Sequence, residues 1–244
     1  MMRIPRFFCE SIVDESILDL PESAHLYRVL RGKPGTRVEL FDGKGTLAAG
    51  IVSRIEKKQV YVRIQTIHQI RPRETGRIIL AISYAKGQRF DWLVEKCTEL
   101  GVDHIAAVLF DRTVKLGSPT IAERIDKIAI AASKQCGRLF LPVISGPAGL
   151  RESLDFLRTM YANAALLFGD PHGQPLHQNQ SDSAGRDFIV LIGPEGGFTE
   201  TEIEVLQNAG ALPVCLNPNI LRIETAAAAF CAVLAAGRLS EPAQ

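Results

Sequence analysis

An arginine and a glutamate stand two residues apart just before the last helical segment of the chain. They are Arg222 and Glu224, and the run AAAAFCAVLAAG follows Thr225. A guanidinium can stabilise negative charge that develops during a reaction, and a nearby carboxylate can orient that guanidinium or accept a proton. The same residues could instead form an ion pair at a helix start, with Thr225 as the N-cap. Arg222 and Glu224 are therefore candidate catalytic residues.

A glycine-rich loop precedes this pair in the chain. The apolar run FIVLI at residues 188–192 leads into GPEGG, which is Gly193, Pro194, Glu195, Gly196 and Gly197. The spacing fits neither the phosphate-binding P-loop nor the dinucleotide fingerprint. Phosphate loops direct backbone N–H groups at an anion, whereas Pro194 removes one N–H group and Glu195 adds negative charge. The loop is a poor phosphate site but could hold a neutral or cationic ligand.

The alternative is that these glycines only turn the chain into the next helix. Thr199 and Glu202 have the T-x-x-E spacing of a capping box, which predicts a helix over residues 199–209. A second strand–turn–helix passage, PVCLNPNILRIET at residues 213–225, favours the functional interpretation because it places two polar loops beside the candidate catalytic pair. The alanine-rich helix after it is apolar on all sides and is expected to be buried.

The elements that must position these loops differ between the two parts of the chain. The first 70 residues alternate in the manner of short strands around the turn at residues 42–45, which predicts a small barrel or sandwich. A short helical pattern covers residues 25–30, and the polar segment at residues 71–76 is a predicted linker. Beyond it, apolar strands alternate with helices, which predicts a mainly parallel sheet covered on both faces. The predicted strands there are residues 77–83, 104–110, 164–168, 188–192 and 213–216, and the helices are residues 91–100, 121–136, 199–209 and 225–236.

Composition excludes several classes of protein. The 244 residues are 46% hydrophobic, and no apolar run of membrane-spanning length or signal-peptide pattern occurs. The five cysteines are odd in number and lack C-x-x-C spacing, which favours reduced thiols in the cytoplasm over a zinc site or disulfides. Residues 1–75 hold 13 Lys and Arg against 9 Asp and Glu, a net charge of +4. That excess is a hint of nucleic-acid binding, although ordinary surface variation could also produce it.

Several stretches together resemble the RsmE family of ribosomal RNA methyltransferases. The two C-terminal ones are IGPEGGFTETEI and LNPNILRIETAAAA. KGQRFDWLVEKCTELGVDHI at residues 86–105, IAIAASKQCGRLFLPVI at residues 128–144 and HLYRVLRGKPGTRVELFDGKG near the N-terminus are also similar. The resemblance covers nearly the whole chain, in order.

The resemblance implies a fold, a reaction and partners. It implies an α/β SPOUT-type domain over residues 73–244, a parallel sheet with a C-terminal trefoil knot, and a small N-terminal PUA-like β-barrel over residues 1–72. It also implies a cytoplasmic homodimer that requires neither metal nor membrane. Such an enzyme transfers a methyl group from S-adenosylmethionine to N3 of one uridine in small-subunit ribosomal RNA. The sulfonium cation of this donor is consistent with a loop that disfavours phosphate.

The resemblance also implies the residues of the site. The cofactor-binding residues would be Leu167, Phe168, Ile192, Gly193, Pro194, Glu195, Gly196, Gly197, Leu216, Asn217, Asn219, Ile220 and Leu221. Arg222 and Glu224 would be catalytic, and Glu195 could face the sulfonium, bind the ribose or brace the neighbouring loop. RNA would be contacted by Arg6, Arg28, Arg31, Lys86, Arg89, Arg112 and Arg138, each of which could also be an ordinary surface residue.

The last motif departs from the family pattern at three positions. Asn217, Asn219 and Ile223 stand where the family usually has glycine, arginine and threonine. Asparagine tolerates the left-handed backbone conformation, so Asn217 is compatible with the turn, but Asn219 removes a positive charge. Two alternatives therefore stay open. One is a related SPOUT enzyme acting on transfer RNA or on a ribose hydroxyl, and the other is a non-catalytic RNA-binding protein with a decayed cofactor loop.

Overall fold

The computed structural model describes residues 4–84, 87–113, 121–176 and 185–238. Two compact units divide the chain. The first contains Met1–Pro72 together with Ser133–Leu141, and the second contains Arg73–Ala132 together with Pro142–Gln244. The sequence did not indicate that residues 133–141 would join the first unit. Backbone hydrogen bonds from Gly45 N–H to the Leu139 carbonyl and from Leu141 N–H to the Gly43 carbonyl attach this segment to the turn at residues 42–45.

The first unit is a five-stranded sheet in the order β1-β3-β4-β5-β2. The strands are β1 Arg6–Phe8, β2 Glu15–Ile17, β3 Arg37–Phe41, β4 Thr46–Glu56 and β5 Gln59–Gln69. β1 runs parallel to β3 and the remaining pairs are antiparallel. The predicted strands correspond to β3, β4 and β5. β1 and β2 were not predicted, because three residues are too few to show an alternating pattern.

The helical pattern predicted at residues 25–30 belongs to a longer segment. Helix α1 (Leu20–Ala24) continues directly into a π-helical turn, His25–Val29. Asp19 caps α1, since its carboxylate accepts the Glu22 N–H group at 2.7 Å. Ser23 and Leu26 are fully buried, so this segment covers one side of the apolar core of the sheet.

The described residues of the second unit form a six-stranded sheet, parallel throughout, in the order β11-β9-β10-β6-β7-β8. Its strands are β6 Ile78–Ser83, β7 His104–Leu109, β8 Val143–Gly149, β9 Ala165–Pro175, β10 Phe188–Ile192 and β11 Leu212–Cys215. β6 and β10 are buried along their whole length, as expected for central strands of a sheet covered on both faces. Two apolar cores lie on the two faces. The prediction of an α/β fold with a parallel sheet is confirmed.

In the described part of the chain, five helices cover this sheet. They are α2 Gln88–Glu99, α3 Ile121–Cys136, α4 Leu150–Met160, α5 Glu200–Asn208 and α6 Ile223–Arg238. β8 and α4 were not predicted, because the sequence VISGPAG of β8 has the glycine and proline content of a turn. Among the described residues, no helix is long and apolar enough to cross a membrane.

The strand β9 is twice as long as its apolar core suggested. The sequence predicted its end at Phe168, whereas β9 continues to Pro175 because it pairs with β11 at two separate places. The polar loop predicted at residues 174–186 falls mostly on residues 177–184, which lie outside the described residues.

Candidate functional site

A cavity of about 560 Å³ lies in the second unit. Its walls come from residues 169–171 of β9, from residues 192–195, 197 and 198 at and after the end of β10, and from residues 214–217 and 219–223 around the end of β11. Arg89 of α2 and Ala226 and Phe230 of α6 complete the lining. Loops at the carboxyl ends of parallel strands form ligand sites in open α/β sheets, and this volume suits a small-molecule ligand.

The loop after β10 is folded tightly by its glycines. A Cβ atom at Gly193 would lie 3.0 Å from the Phe198 ring, so a larger residue would displace that ring. Gly197 has φ +70°, which favours glycine, and its N–H group donates to the Pro194 carbonyl at 2.8 Å. Phe198 packs edge-on against Phe110 and Phe168. The loop is therefore anchored to the core instead of lying loosely on the surface.

Two side chains outside the loop brace it. Arg112 Nη1 donates to the Gly196 carbonyl at 2.6 Å and to the Phe198 carbonyl at 3.3 Å. The predicted capping box is confirmed, since the Thr199 N–H group donates to Glu202 Oε2 at 2.7 Å and Thr199 Oγ1 accepts the Glu202 N–H group. Glu202 is buried, and its second oxygen accepts the Asp111 N–H group at 2.8 Å. The loop after β10 and the start of α5 are thus held in place by residues 111 and 112.

Glu195 is paired with an arginine in this structure. Arg89 Nη1 donates to Glu195 Oε1 at 3.0 Å, and Arg89 Nε lies 3.9 Å from Glu224 Oε1. Arg89 was predicted to contact RNA, but its guanidinium lines the cavity and connects the two carboxylates. The side chains of Arg89 and Glu195 are 55% and 71% exposed, so solvent screens this pair and it adds little stability. The ion pair with Arg89 neutralises the negative charge that Glu195 brings to the loop.

The second loop turns at its asparagines. Asn217 Oδ1 accepts the Asn219 N–H group at 2.7 Å, so Asn217 makes the turn without glycine. Asn219 and Ile220 are exposed at the cavity mouth, and Ile220 is 86% exposed. The departures at positions 217 and 219 are therefore compatible with a formed loop.

The two candidate catalytic residues occupy different positions. Arg222 is exposed and lines the cavity. Glu224 is half-buried in the first turn of α6, outside the lining, and Arg89 Nε lies 3.9 Å from its Oε1 atom. Among the described residues no ion pair joins Arg222 to Glu224, so the interpretation as a simple pair at the helix start is wrong. Since α6 begins at Ile223, Thr225 is also not its N-cap.

Most of the predicted cofactor residues meet at this cavity. Those that line it are Ile192, Gly193, Pro194, Glu195, Gly197, Leu216, Asn217, Asn219, Ile220 and Leu221. Leu167 and Phe168 do not, because both are buried inside β9. Gly196 also lies outside the lining, where its carbonyl binds Arg112.

Sequence reasoning missed nine residues of the cavity lining, including the complete wall that β9 supplies. The residues that it did not assign are Gly169, Asp170, Pro171, Phe198, Val214, Cys215, Ile223, Ala226 and Phe230. The signal for the first three was the Gly-Asp-Pro sequence directly after the apolar run of β9. GPEGG also follows an apolar strand directly, so an apolar run that ends at a glycine marks both of these cavity walls.

The remaining predicted RNA contacts have different environments. Arg6 is a structural residue, since its guanidinium is 14% exposed, binds Glu39 at 2.8 Å and donates to the Gly137 carbonyl. Arg28 and Arg31 are exposed, and Arg28 lies over the Tyr27 ring. Arg138 is half-buried. Lys86 lies outside the described residues.

An open parallel sheet with a cavity at the carboxyl ends of its strands is typical of ligand-binding α/β proteins. Comparison with known families identifies the family to which this α/β protein belongs. Residues 72–235 match the RNA methyltransferase domain, and residues 18–65 match the RNA methyltransferase PUA domain. The chain belongs to this family of RNA methyltransferases, in which the methyltransferase domain accompanies a PUA-like domain.

Individual relatives agree with this assignment. The ribosomal RNA small subunit methyltransferase E of Rickettsia conorii is 28% identical over 235 residues, which cover 93% of each chain. A putative methyltransferase from Legionella pneumophila, solved with the bound cofactor SAM, is 30% identical with a TM-score of 0.85 and covers 97% of this chain and 99% of its own. The ribosomal RNA small subunit methyltransferase E of Neisseria gonorrhoeae, solved with S-adenosyl methionine, is 29% identical with a TM-score of 0.85 over 97% and 98% of the two chains. The resemblance to the RsmE family is confirmed.

Proposed function

We propose that this protein transfers a methyl group from S-adenosylmethionine to N3 of a uridine in small-subunit ribosomal RNA. The observation that carries the proposal is the cavity itself, which the GPEGG loop and the loop at residues 216–221 enclose together. Two relatives that share the fold over nearly the whole chain bind this cofactor. The names of relatives such as the Rickettsia conorii enzyme support a ribosomal RNA substrate. The cytoplasmic location is part of the same proposal.

The residues of the cavity fit such a cofactor. Ile192, Leu216 and Leu221 offer apolar surface for an adenine ring, and Gly193 exposes backbone where a side chain would displace Phe198. Among the described residues the lining holds no lysine, and Glu195 disfavours a phosphate. When bound, S-adenosylmethionine supplies the activated methyl group, while the protein supplies orientation and electrostatics.

The charged residues at the cavity have distinct roles in the proposed reaction. The N3 atom of uridine carries a proton and is a poor nucleophile until that proton leaves. Arg222 would stabilise the negative charge that then develops on a uracil carbonyl oxygen, because its exposed guanidinium lines the cavity. Glu224 would accept the proton directly or through water. Arg89, 3.9 Å from Glu224, would keep that carboxylate in place.

The proposed activity can be tested with labelled S-adenosylmethionine. The protein would be incubated with undermethylated small subunits, with naked small-subunit RNA and with transfer RNA, and the modified nucleoside identified by mass spectrometry. We expect label in N3-methyluridine from one of the first two substrates. Label in ribose or only in transfer RNA would contradict the proposal, and binding of RNA without binding of the cofactor would identify a non-catalytic RNA-binding protein.

RNA binding by the first unit gives a separate prediction. Arg28 and Arg31 are exposed and flank the end of the π-helical turn in a unit that contains the PUA match. Replacing both with alanine should weaken RNA binding and lower the salt dependence of the affinity by roughly one unit of slope per lost phosphate contact. Filter binding over a range of salt concentrations would measure this. Arg151→Ala on α4 is the matched control, and equal slopes for all three proteins would contradict the prediction.

The trefoil knot and the domain limits belong to the same proposal. β10 lies between β9 and β6, whereas β11 lies on the far side of β9 at the sheet edge. After β11 the chain returns, so that α6 packs on β6 and β10. This return path is compatible with threading of the C-terminal segment through a loop, an exception to ordinary chain topology. We place the PUA-like domain at residues 1–72 and the methyltransferase domain at residues 73–244, although residues 133–141 of the latter range belong to the first compact unit.

The proposed homodimer has a candidate surface on α6. The sequence predicts a helix that is buried on all sides, but only Ala227, Phe230, Cys231 and Leu234 are buried. Ala232, Val233 and Ala236 are exposed on the opposite side. An apolar helix with one uncovered face is explained by a second copy of the chain that covers this face.

A charge on that face should prevent dimer formation. We expect Val233→Glu to convert the dimer into a monomer in light scattering coupled to size-exclusion chromatography, because a buried, unpaired carboxylate is costly. Val29→Glu, at a more exposed apolar residue of the first unit, is the control and should remain dimeric. A dimeric Val233→Glu variant would exclude this face.

A further inference from the structure

The wall of the cavity that the sequence did not reveal is a bulge in β9. Phe168 and Gln174 of β9 pair with Pro213 and Val214, which are adjacent in β11, so residues 169–173 have no partners on that strand. At the end of the bulge, a Cβ atom on Gly173 would lie 2.5 Å from the Val214 nitrogen. The bulge is thus closed against the backbone of β11, and its position relative to the cavity is set by the sheet.

The bulge directs one carboxylate to the cavity. Asp170 lines the cavity and is half-buried. Its Oδ1 atom accepts the His172 N–H group at 2.8 Å, which orients the side chain and leaves Oδ2 for a ligand. No cation pairs with Asp170 among the described residues.

Some charged residues of the cavity lining have a partner of opposite charge among the described residues, and others do not. The charged residues of the lining are Arg89, Asp170, Glu195 and Arg222. Arg89 and Glu195 neutralise each other at 3.0 Å. Asp170 is then the lining acid without a partner in the described part of the chain, and an unpaired acid on a partly buried wall favours a cationic group of the ligand.

We propose that Asp170 binds the α-ammonium group of S-adenosylmethionine and so determines recognition of the amino-acid part of the cofactor. This inference rests on the proposed function. An ammonium donates up to three hydrogen bonds to a carboxylate, whereas the sulfonium donates none. A carboxylate oxygen placed at the sulfonium could also take the methyl group itself. The ammonium is therefore the better partner for Asp170 than the reacting centre.

The test compares the affinities of three adenosine ligands for the wild-type protein and for Asp170→Asn. Calorimetry would use S-adenosylmethionine, S-adenosylhomocysteine and 5′-methylthioadenosine. The first two carry the ammonium, and the third keeps adenine and ribose but has no amino-acid part. We expect the variant to bind the first two roughly 10- to 100-fold more weakly, as for a lost charge-assisted hydrogen bond, and the third unchanged.

Asparagine is a suitable replacement because its side-chain oxygen can still accept the His172 N–H group. Asp155→Asn, an exposed residue on α4 that removes the same charge, is the control and should bind all three ligands like the wild type. Equal weakening of all three ligands by Asp170→Asn would overturn the inference in favour of a ribose or structural role. Weakening of S-adenosylmethionine alone would assign the residue to the sulfonium, and no weakening would exclude any contact.

These outcomes separate the inference from the proposed function. A wild-type protein that binds none of the three ligands would contradict the proposed function and the inference with it. A wild-type protein that binds S-adenosylmethionine, with a variant of unchanged affinity, would contradict the inference alone.

Discussion

Arg222→Ala should lower the rate of methyl transfer by about 10²- to 10³-fold, which is the usual effect of removing one donor that stabilises a developing negative charge. The guanidinium of Arg222 lines the cavity and is exposed. It can therefore approach a uracil oxygen without a large rearrangement of the loop. The measurement is a single-turnover assay with labelled S-adenosylmethionine and excess enzyme, so that the chemical step is observed instead of product release.

The affinity for the cofactor and the stability should change little in this variant. Arg222 donates no side-chain hydrogen bond to another described residue, so its truncation leaves no buried group unpaired. Arg222→Lys keeps the charge but loses the planar fork of donors, and we expect an intermediate rate. Arg158→Ala on α4 is the control for the lost positive charge. Normal turnover by Arg222→Ala would remove Arg222 from the mechanism.

The second large effect concerns the stability of the methyltransferase unit in acid. His104 of β7 is fully buried, with Nδ1 2.9 Å from the Tyr161 hydroxyl and Nε2 2.7 Å from Ser145 Oγ. Burial lowers the pKa of His104 from its usual 6.5 to about 4, because the imidazolium loses its hydration there. The folded protein thus keeps this histidine neutral at a pH where the unfolded chain binds a proton.

The sign of the pH dependence follows from this difference. Above pH 6.5 His104 is neutral in the folded and in the unfolded protein, so its protonation does not lower the free energy of unfolding. As the pH falls from 6.5 to about 4, only the unfolded state gains the proton, so the free energy of unfolding decreases. The loss would reach about 3 kcal/mol at the acid end of this window.

Urea unfolding between pH 7.5 and pH 4.5 would measure this loss. The chain contains one tryptophan, Trp92 of α2, so its fluorescence reports on the second unit. We expect His104→Gln to be less stable at pH 7.5 but to have a flatter pH dependence than the wild type. His68→Gln, at an exposed histidine of the first unit, should keep the wild-type slope. Parallel pH profiles for the wild type and His104→Gln would show that His104 does not cause the acid sensitivity.

The regular elements of the second unit were largely predictable. Strands such as β6 and β10 are continuous apolar runs between polar turns, and helices such as α5 carry their own start signal in Thr199 and Glu202. These features depend on local chemistry, which a sequence displays directly. β8 was missed for the same reason, since its glycines and proline resemble a turn and only its pairing with β7 makes it a strand.

The site was predictable where a local motif marked it. GPEGG and the loop at residues 216–221 were recognisable because glycine, proline and asparagine at strand ends produce sharp turns. The partners of those residues were not recognisable, since they come from distant parts of the chain. Arg89 is 106 residues from Glu195, and Arg112 is 84 residues from Gly196.

The sequence by itself determined the alternation of strands and helices, the two polar loops, the family, and the fact that Pro194 and Glu195 disfavour a phosphate. Only the tertiary structure decided which charges remain unpaired in the cavity. The parallel sheet brings Arg89 to Glu195, while the register break between β9 and β11 turns Asp170 toward the ligand space. The physical reason is that charge pairing depends on distances between side chains, and these distances are set by strand order and register, which are long-range properties of the fold.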